Sequence, residues 1–238
     1  MKPEDRLIVS LDLDSETKIL EMAGKLRPGV TNVKIGSAPF VSCGGAIIDK
    51  LREKGCRVFL DLKFHDIPNT VASAVRAAVR PGVFMINVHA SGGLVMMKGL
   101  RSIAAKRAKE LKVQRPKIVA VTILTSLDQK SLKMLGMHGT IQDTVVRLAK
   151  LAKEAGLDGV VCSPNEITAV RKAAGRNFLI VTPGVRPAWA KANDQLRVMA
   201  PSGALKAGSD YIVIGRPIIA SADPKAAALR ILKEMRSA

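Results

Sequence analysis

The segment Phe59–Thr70 carries the densest group of reactive side chains in the sequence. It reads Phe-Leu-Asp-Leu-Lys-Phe-His-Asp-Ile-Pro-Asn-Thr, so Asp61, Lys63 and Asp66 fall within six residues. The preceding Val58-Phe59-Leu60 is apolar and β-prone, which predicts a buried strand that leads into these charges. Because side chains alternate between the two faces of a strand, we expect Asp61 and Lys63 on the same face.

Charged groups at the end of a buried strand are costly unless they are paired. A surface salt bridge at a strand end is one interpretation of the pattern. The pattern favours a second interpretation, an active site in which a lysine held charged between carboxylates moves a proton. We expect Pro68 to end the strand and Asn69 to cap a helix over Val71–Ala78.

The elements that must position these residues alternate between strand and helix. The predicted strands are apolar on both faces, as parallel strands covered by helices are. They are Leu7–Leu11, Asn32–Ile35, Val58–Leu62, Val83–Val88, Ile118–Ile123, Gly159–Cys162, Leu179–Thr182 and Tyr211–Ile214. Eight strand–helix units in 238 residues predict an α/β fold, a single-domain (β/α)8 TIM barrel over residues 1–238.

An open, doubly wound sheet is the alternative architecture. Such a sheet usually carries a glycine-rich turn after its first strand, whereas this chain has Leu11-Asp12-Leu13-Asp14 there. Among the helices, the apolar spacing predicts Gly44–Lys54 and one long helix over Gly92–Leu111. A polar loop is expected from the fifth strand to Gly139, where Thr140 caps the next helix.

In a barrel of this kind, chemistry gathers at the C-terminal ends of the strands. The residues at those positions are rich in charge, and they are Asp12, Lys34, Asp61, Lys63, His89, Thr125, Ser126, Pro183, Gly184, Gly215 and Arg216. Gly215-Arg216 follows the last strand, where an exposed backbone N–H and a forked guanidinium suit a phosphate. A tight turn with a surface arginine is the alternative interpretation of that pair.

Composition narrows the classes of partner. The chain has 38 Lys and Arg against 20 Asp and Glu, a formal net charge of +18, which favours anionic partners. Only 3% of residues are aromatic, so side chains for base stacking are scarce and no specific nucleic-acid site is expected. A nucleic-acid-binding scaffold on a degenerate barrel is the non-enzyme alternative.

Compartment and membrane association are also constrained. No apolar run is long enough to span a bilayer, and the polar start Met1–Arg6 lacks a signal-peptide pattern. Cys43, Cys56 and Cys162 are odd in number and lie far apart, without zinc-ligand spacing. Free thiols in a reducing compartment lead us to expect a cytoplasmic protein.

These motifs together resemble the orotidine 5′-phosphate decarboxylase family over essentially the whole chain. The most specific match is Asp-Leu-Lys-Phe-His-Asp-Ile-Pro-Asn-Thr-Val at residues 61–71. The supporting matches lie at other strand ends and are Ser10-Leu11-Asp12, Val33-Lys34-Ile35-Gly36, Leu124-Thr125-Ser126, Thr182-Pro183-Gly184-Val185-Arg186-Pro187 and Ile214-Gly215-Arg216-Pro217.

The resemblance implies decarboxylation of orotidine 5′-monophosphate to uridine 5′-monophosphate in de novo pyrimidine biosynthesis. No metal and no organic cofactor are implied. Lys63 would protonate C6 of the pyrimidine as carbon dioxide leaves, and Asp61 would lie beside the substrate carboxylate. Lys34 and Asp66 would complete an alternating row of lysines and aspartates.

The resemblance also implies substrate contacts and a partner. The implied contacts are Asp12 and Lys34 to the ribose, Ser126 to the pyrimidine with Thr125 adjacent, Gln195 between base and phosphate, and Gly215, Arg216 and Arg186 at the phosphate. Asp66 and Thr70 would reach the active site of a neighbouring subunit, so a homodimer with shared sites is expected. The loop over residues 184–197 would act as a mobile lid.

Related sugar-phosphate enzymes, the ketogulonate-phosphate decarboxylases and hexulose-phosphate synthases, share the Asp-x-Lys-x-x-Asp frame. They use magnesium, with an acidic residue at the end of the second strand, whereas this chain has Lys34 there. A lysine at that position would repel a metal ion. The three histidines, His65, His89 and His138, show no metal-ligand spacing, so the orotidylate resemblance is favoured.

Overall fold

The computed structural model describes residues 1–190 and 199–237 of the chain. Eight parallel strands form a closed barrel in sequence order, and the last strand pairs with the first. The strands are β1 (Leu7–Ser10), β2 (Asn32–Gly36), β3 (Arg57–Phe64), β4 (Val83–His89), β5 (Lys117–Val121), β6 (Gly159–Val161), β7 (Leu179–Thr182) and β8 (Tyr211–Ile214). The predicted (β/α)8 barrel is confirmed, and the open sheet is wrong because Ile8 pairs with Val213 to close the ring.

Helices cover the outside of the barrel. Their bounds are α1 (Pro3–Arg6), α2 (Glu16–Leu26), α3 (Ser37–Cys43), α4 (Ala46–Glu53), α5 (Pro68–Ala78), α6 (Gly93–Met97), α7 (Leu100–Glu110), α8 (Gln129–Met134), α9 (Ile141–Glu154), α10 (Ile167–Ala174), α11 (Pro201–Ala207), α12 (Arg216–Ile219) and α13 (Pro224–Arg236). Within the described ranges, no helix is both long enough and apolar enough to cross a bilayer.

Because the strands are apolar on both faces, the apolar core has two layers, one on each side of the barrel wall. A small cluster fills the inside of the barrel and consists of Ile8, Phe59, Met85, Val119, Val181, Tyr211 and Val213. A larger cluster packs between the outer faces of the strands and the helices. Since inward side chains fill the barrel interior, the polar side chains at the strand ends are gathered at its mouth.

Several predicted helices differ from the structure. The long helix over Gly92–Leu111 is interrupted, because Gly99 adopts a left-handed φ of 82° between α6 and α7. The expected loop before Gly139 contains α8, whose N-terminus is capped by the Asp128 side chain accepting from the Ser131 N–H. Both α6 and α8 are short, so their apolar periodicity is too brief to detect in the sequence.

The start of α5 also corrects a prediction. The helix begins at Pro68, with Ile67 at the N-cap position and no side-chain cap. Asn69 therefore lies inside the helix rather than capping it. Proline is well tolerated at the first helical position, because its missing N–H would have no intrahelical partner there.

Candidate active site

A cavity of about 390 Å³ opens at the C-terminal ends of the strands. Eight of the sequence-predicted site residues line it: Asp12, Lys34, Asp61, Lys63, Thr125, Arg186, Gly215 and Arg216. They are supplied by the ends of β1, β2, β3, β7 and β8 and by the segment after β5. Residues far apart in sequence are thus brought to one concave surface, which is the usual location of a barrel active site.

A chain of ion pairs runs across one side of this cavity. Lys34 Nζ lies 3.0 Å from Asp12 Oδ1 and 3.1 Å from Asp61 Oδ2. Lys63 Nζ lies 2.7 Å from Asp61 Oδ1. The alternating row within the chain is therefore Asp12–Lys34–Asp61–Lys63, with two positive and two negative charges.

The row keeps its buried members ionised. Burial by itself would lower the pKa of Lys34, but the Asp61 and Asp12 carboxylates outweigh it and raise that pKa above its ordinary value. Burial would raise the pKa of Asp61, but Lys34, Lys63 and a hydrogen bond from Asn87 lower it below its ordinary value. The carboxylate between the two lysines therefore stays negative at neutral pH.

Lys63 has an unusual backbone conformation. Its φ is 52°, in the left-handed region that costs a residue with a Cβ about 1–2 kcal/mol. The register of β3 and β4 also shifts between the pairs Leu60↔Ile86 and Phe64↔Val88. This bulge extends β3 to Phe64, beyond its predicted end at Leu62, and carries Lys63 into the cavity.

Sequence reasoning missed two polar side chains in the site. Asn87 lines the cavity and donates from Nδ2 to Asp61 Oδ1 at 2.6 Å. Ser10 also lines the cavity, and its hydroxyl donates to Asp12 Oδ2 at 2.6 Å. The available signal was a polar residue inside an otherwise apolar predicted strand, which is costly unless it is hydrogen-bonded.

Two glycines leave room for these groups. A Cβ on Gly36 would lie 3.1 Å from Asp12 Oδ1 and 3.2 Å from Lys34 Nζ, inside the first ion pair of the row. A Cβ on Gly215 would lie 3.2 Å from the Ser10 Cβ. Larger residues at either position would therefore push the row or the end of β1 out of place.

Arginines lie on the other side of the barrel mouth. Arg186 follows β7 and Arg216 follows β8, and β7 lies directly across the closed ring from β3. Both arginines line the cavity, where Arg186 is buried and Arg216 is exposed. A ligand in this cavity therefore meets Lys63 at one side and guanidinium groups at the other.

Other predicted site residues lie elsewhere. Asp66, Thr70 and Ser126 are exposed and do not line the cavity. No ion pair joins Asp66 to Lys63 within the chain, and the Asp66 side chain instead accepts from the N–H of Ile67 at 2.6 Å. Gln195 and the second half of the predicted lid, residues 191–197, lie outside the described residues.

Two histidines stand next to the row. The rings of His65 and His89 are 5.2 Å apart between centroids, and burial, followed by the charges of His65 and Lys63, lowers the pKa of His89. His89 is therefore neutral at neutral pH. Among the described residues, no group of three or more His, Cys, Asp or Glu side chains is arranged to hold a metal ion.

Comparison with known proteins identifies the family. Residues 5–231 match the family model described as "Orotidine 5'-phosphate decarboxylase / HUMPS family". A protein of Trichlorobacter lovleyi named orotidine 5′-phosphate decarboxylase is 50% identical over 232 residues, covering 98% of this chain and 95% of that protein. A protein of the same name from Saccharophagus degradans is 48% identical over 236 residues, covering 99% and 97%.

A solved structure agrees with these sequence matches. The crystal structure of orotidine 5′-phosphate decarboxylase from Lactobacillus acidophilus has a TM-score of 0.86 to this chain at 39% sequence identity. The match covers 97% of this chain and 98% of that one. Fold and sequence therefore point to the same family.

Proposed function

The chain belongs to the orotidine 5′-phosphate decarboxylase / HUMPS family, and from this premise we propose that it decarboxylates orotidine 5′-monophosphate to uridine 5′-monophosphate, a step of pyrimidine biosynthesis. It acts as a carboxy-lyase without metal or organic cofactor, and residues 1–238 form one decarboxylase domain. The observation that carries the proposal is the Lys63 ammonium, paired with Asp61 at 2.7 Å inside a cavity that guanidinium groups line on the far side.

The proposed chemistry takes place at C6 of the pyrimidine. The bond between C6 and the carboxylate breaks, carbon dioxide leaves, and the electron pair stays on C6. No adjacent carbonyl delocalises this pair, so a positive charge placed beside C6 stabilises it as it develops. Lys63 Nζ then transfers a proton to C6 and regains one from water, which balances the reaction.

The rest of the row holds Lys63 in place. Asp61 accepts from Lys63 Nζ and is held by Lys34 from its other oxygen. Asp12 and Lys34 are proposed to bind the ribose hydroxyls as well. Because these four side chains are already paired in the free protein, little reorganisation is needed when the reaction begins.

The far side of the cavity is proposed to bind phosphate. Arg216 with the Gly215 backbone would hold the phosphate, and Arg186 would support it. Thr125, which lines the cavity, would contact the pyrimidine, and Gln195 would link the base and the phosphate. A guanidinium forms paired, charge-assisted hydrogen bonds with phosphate oxygens. Binding energy gained there can orient the ring against Lys63.

The magnesium-dependent sugar-phosphate enzymes remain the second candidate within this family. Lys34 argues against them, because its ammonium lies between Asp12 and Asp61, where a cation would otherwise bind. Together with Lys63, which also pairs with Asp61, Lys34 balances the charges of both carboxylates. The ion-pair row therefore supports the orotidylate reaction over a magnesium-dependent one.

A direct assay tests the proposal. Purified protein incubated with orotidine 5′-monophosphate and EDTA is expected to show the change in ultraviolet absorbance as the substrate becomes uridine 5′-monophosphate. A matched reaction with added magnesium should run at the same rate. Absence of turnover with EDTA, together with turnover of a keto sugar phosphate in magnesium, would instead establish the second candidate.

A homodimer with shared active sites is part of the proposal. Asp66 and Thr70 are exposed after β3, and large apolar side chains are exposed after this strand and the two that follow it in the barrel. Ile67, Val95, Met134 and Leu135 are 59–80% exposed, and they follow β3, β4 and β5, which are neighbours in the barrel. Exposed apolar side chains mark protein interfaces when they form a continuous patch, and the proposal is that a second copy covers these side chains and contributes its Asp66 to the site of Lys63.

Mixing two inactive variants tests this sharing. Asp66→Asn and Lys63→Ala chains, combined and allowed to exchange subunits, are expected to recover about one quarter of wild-type activity. Half of the dimers are then mixed, and each has one site with neither substitution. Turnover of the mixture relative to each variant alone is the measurement.

The matched control mixes Lys63→Ala with Asp61→Asn chains. Lys63 and Asp61 form their ion pair within one chain, so every site in that mixed dimer keeps one substitution and no activity should return. Equal recovery in both mixtures, or none in the first after exchange is demonstrated by mass spectrometry, would contradict shared sites.

A further inference from the structure

Asn87 occupies a position that neither the motifs nor the proposed mechanism explain. It lies in β4 and only 1% of its surface is exposed. Polar side chains buried to this extent need hydrogen-bond partners. Asn87 has two, and both belong to the bulged segment of β3 that carries the proposed proton donor.

The bulge explains why a side chain is needed here. From the pair Leu60↔Ile86 to the pair Phe64↔Val88, the chain advances four residues along β3 but only two along β4. Backbone groups of β3 in this interval therefore lack the regular partners of a parallel ladder. Asn87 is the one residue of β4 opposite the interval.

The side-chain amide of Asn87 supplies hydrogen bonds in place of part of the backbone ladder that the bulge interrupts. Its Oδ1 accepts from the backbone N–H of Lys63 at 2.8 Å. Its Nδ2 donates to Asp61 Oδ1 at 2.6 Å, the same oxygen that accepts from Lys63 Nζ. One amide group thus contacts both the backbone of Lys63 and the carboxylate that holds the Lys63 side chain.

We propose that Asn87 is a positioning residue for the decarboxylation: its side-chain amide keeps the Lys63 backbone in its left-handed conformation and orients Asp61, so that the Lys63 ammonium points into the cavity. This inference rests on the proposed function. Asparagine suits the task because a side-chain amide offers one acceptor and one donor in the geometry of a peptide group.

Two substitutions separate the two contacts. Asn87→Leu has nearly the same size and removes both hydrogen bonds. Asn87→Asp keeps an acceptor for the Lys63 N–H but replaces the donor to Asp61 with a like charge. Leucine is expected to lower kcat about 100-fold, the cost of a displacement of about 1 Å in a catalytic group, while KM changes little because the phosphate contacts are intact.

The effect of Asn87→Asp is measured from the pH dependence of kcat/KM. The hydrogen bond from Asn87 contributes to the lowered pKa of Asp61, so losing it and adding a negative charge should raise that pKa. The acidic limb of the kcat/KM profile is then expected to move to higher pH. A residue with a merely structural role would leave that limb where it is in the wild type.

Asn32→Leu is the matched control. Asn32 is also a fully buried asparagine of a barrel strand, and its amide donates to the Asp5 carbonyl at 2.8 Å and accepts from Arg57 Nε at 3.0 Å. It lies at the opposite end of the barrel from the cavity. Its loss should lower Tm without changing kcat.

The outcomes are separable. Wild-type kcat in both folded Asn87 variants, or a kcat loss that simply follows Tm in Asn87 and Asn32 variants alike, would overturn the inference. If Asn87→Leu does not fold, the pH profile of Asn87→Asp decides alone. Failure of the wild-type protein to turn over orotidine 5′-monophosphate would instead refute the proposed function.

Discussion

Lys63→Ala is expected to lower kcat for orotidine 5′-monophosphate by at least about 10⁴-fold. In the proposed mechanism, the substitution removes both the positive charge beside C6 and the proton that C6 must receive. Affinity for uridine 5′-monophosphate should largely remain, because Asp12, Lys34 and the arginines across the cavity are untouched. Steady-state kinetics and calorimetric titration with the product measure the two effects.

Folding must be intact for this result to bear on mechanism. Lys63 is partly exposed and in a strained conformation, so its replacement should not reduce Tm greatly. Lys106→Ala, on the exposed face of α7, removes the same charge from the chain far from the cavity and should keep full activity. A Lys63→Ala rate close to that of Lys106→Ala would show that another group supplies the proton.

Arg216→Ala is expected to lower kcat/KM for the nucleotide by about 10 to 10²-fold, because hydrogen bonds to a charged group contribute about 1.5–3 kcal/mol. The nucleoside orotidine, which lacks the phosphate, should react at the same slow rate with variant and wild-type protein. The phosphate contact is thereby isolated from any effect on the chemistry at C6. Comparing the two substrates in one assay gives the measurement.

Arg176→Ala is the matched control for Arg216→Ala, because it also removes one guanidinium group. Arg176 is exposed before β7, at the end of the barrel away from the cavity, and its replacement should alter neither substrate's kinetics. If Arg216→Ala slows nucleotide and nucleoside equally, Arg216 supports the fold of the site. If it slows neither, the phosphate binds elsewhere.

The ion-pair row illustrates how much of the site can be predicted from local sequence patterns. Parallel strands predicted from apolar segments must place their C-terminal ends at one edge, so the positions of Asp12, Lys34, Asp61 and Lys63 at strand ends already implied that they converge. The structure adds the order of contacts. The row begins at Asp12 and ends at Lys63 within the chain, whereas the fourth predicted member, Asp66, is exposed and accepts from the N–H of Ile67 instead.

Short helices were less predictable for a related reason. The break at Gly99 and the one-and-a-half-turn helix α8 involve few residues with a regular apolar stripe. Glycine in a helical pattern is tolerated at a modest cost, so its presence alone does not reveal a break. Packing of α6 and α7 as separate segments against the barrel decides that point.

By itself, the sequence determined the (β/α)8 barrel, the family resemblance and the charged character of the barrel mouth, because all three depend on apolar periodicity and on residue types at strand ends. Only the tertiary structure decided the left-handed conformation of Lys63, the bulge in β3 and the two hydrogen bonds of the Asn87 amide. Those features depend on the register between two strands, in which hydrogen bonds join residues 24 and 26 positions apart. The register cannot be predicted from spacing along the chain, because the closure of the whole barrel sets the register between neighbouring strands.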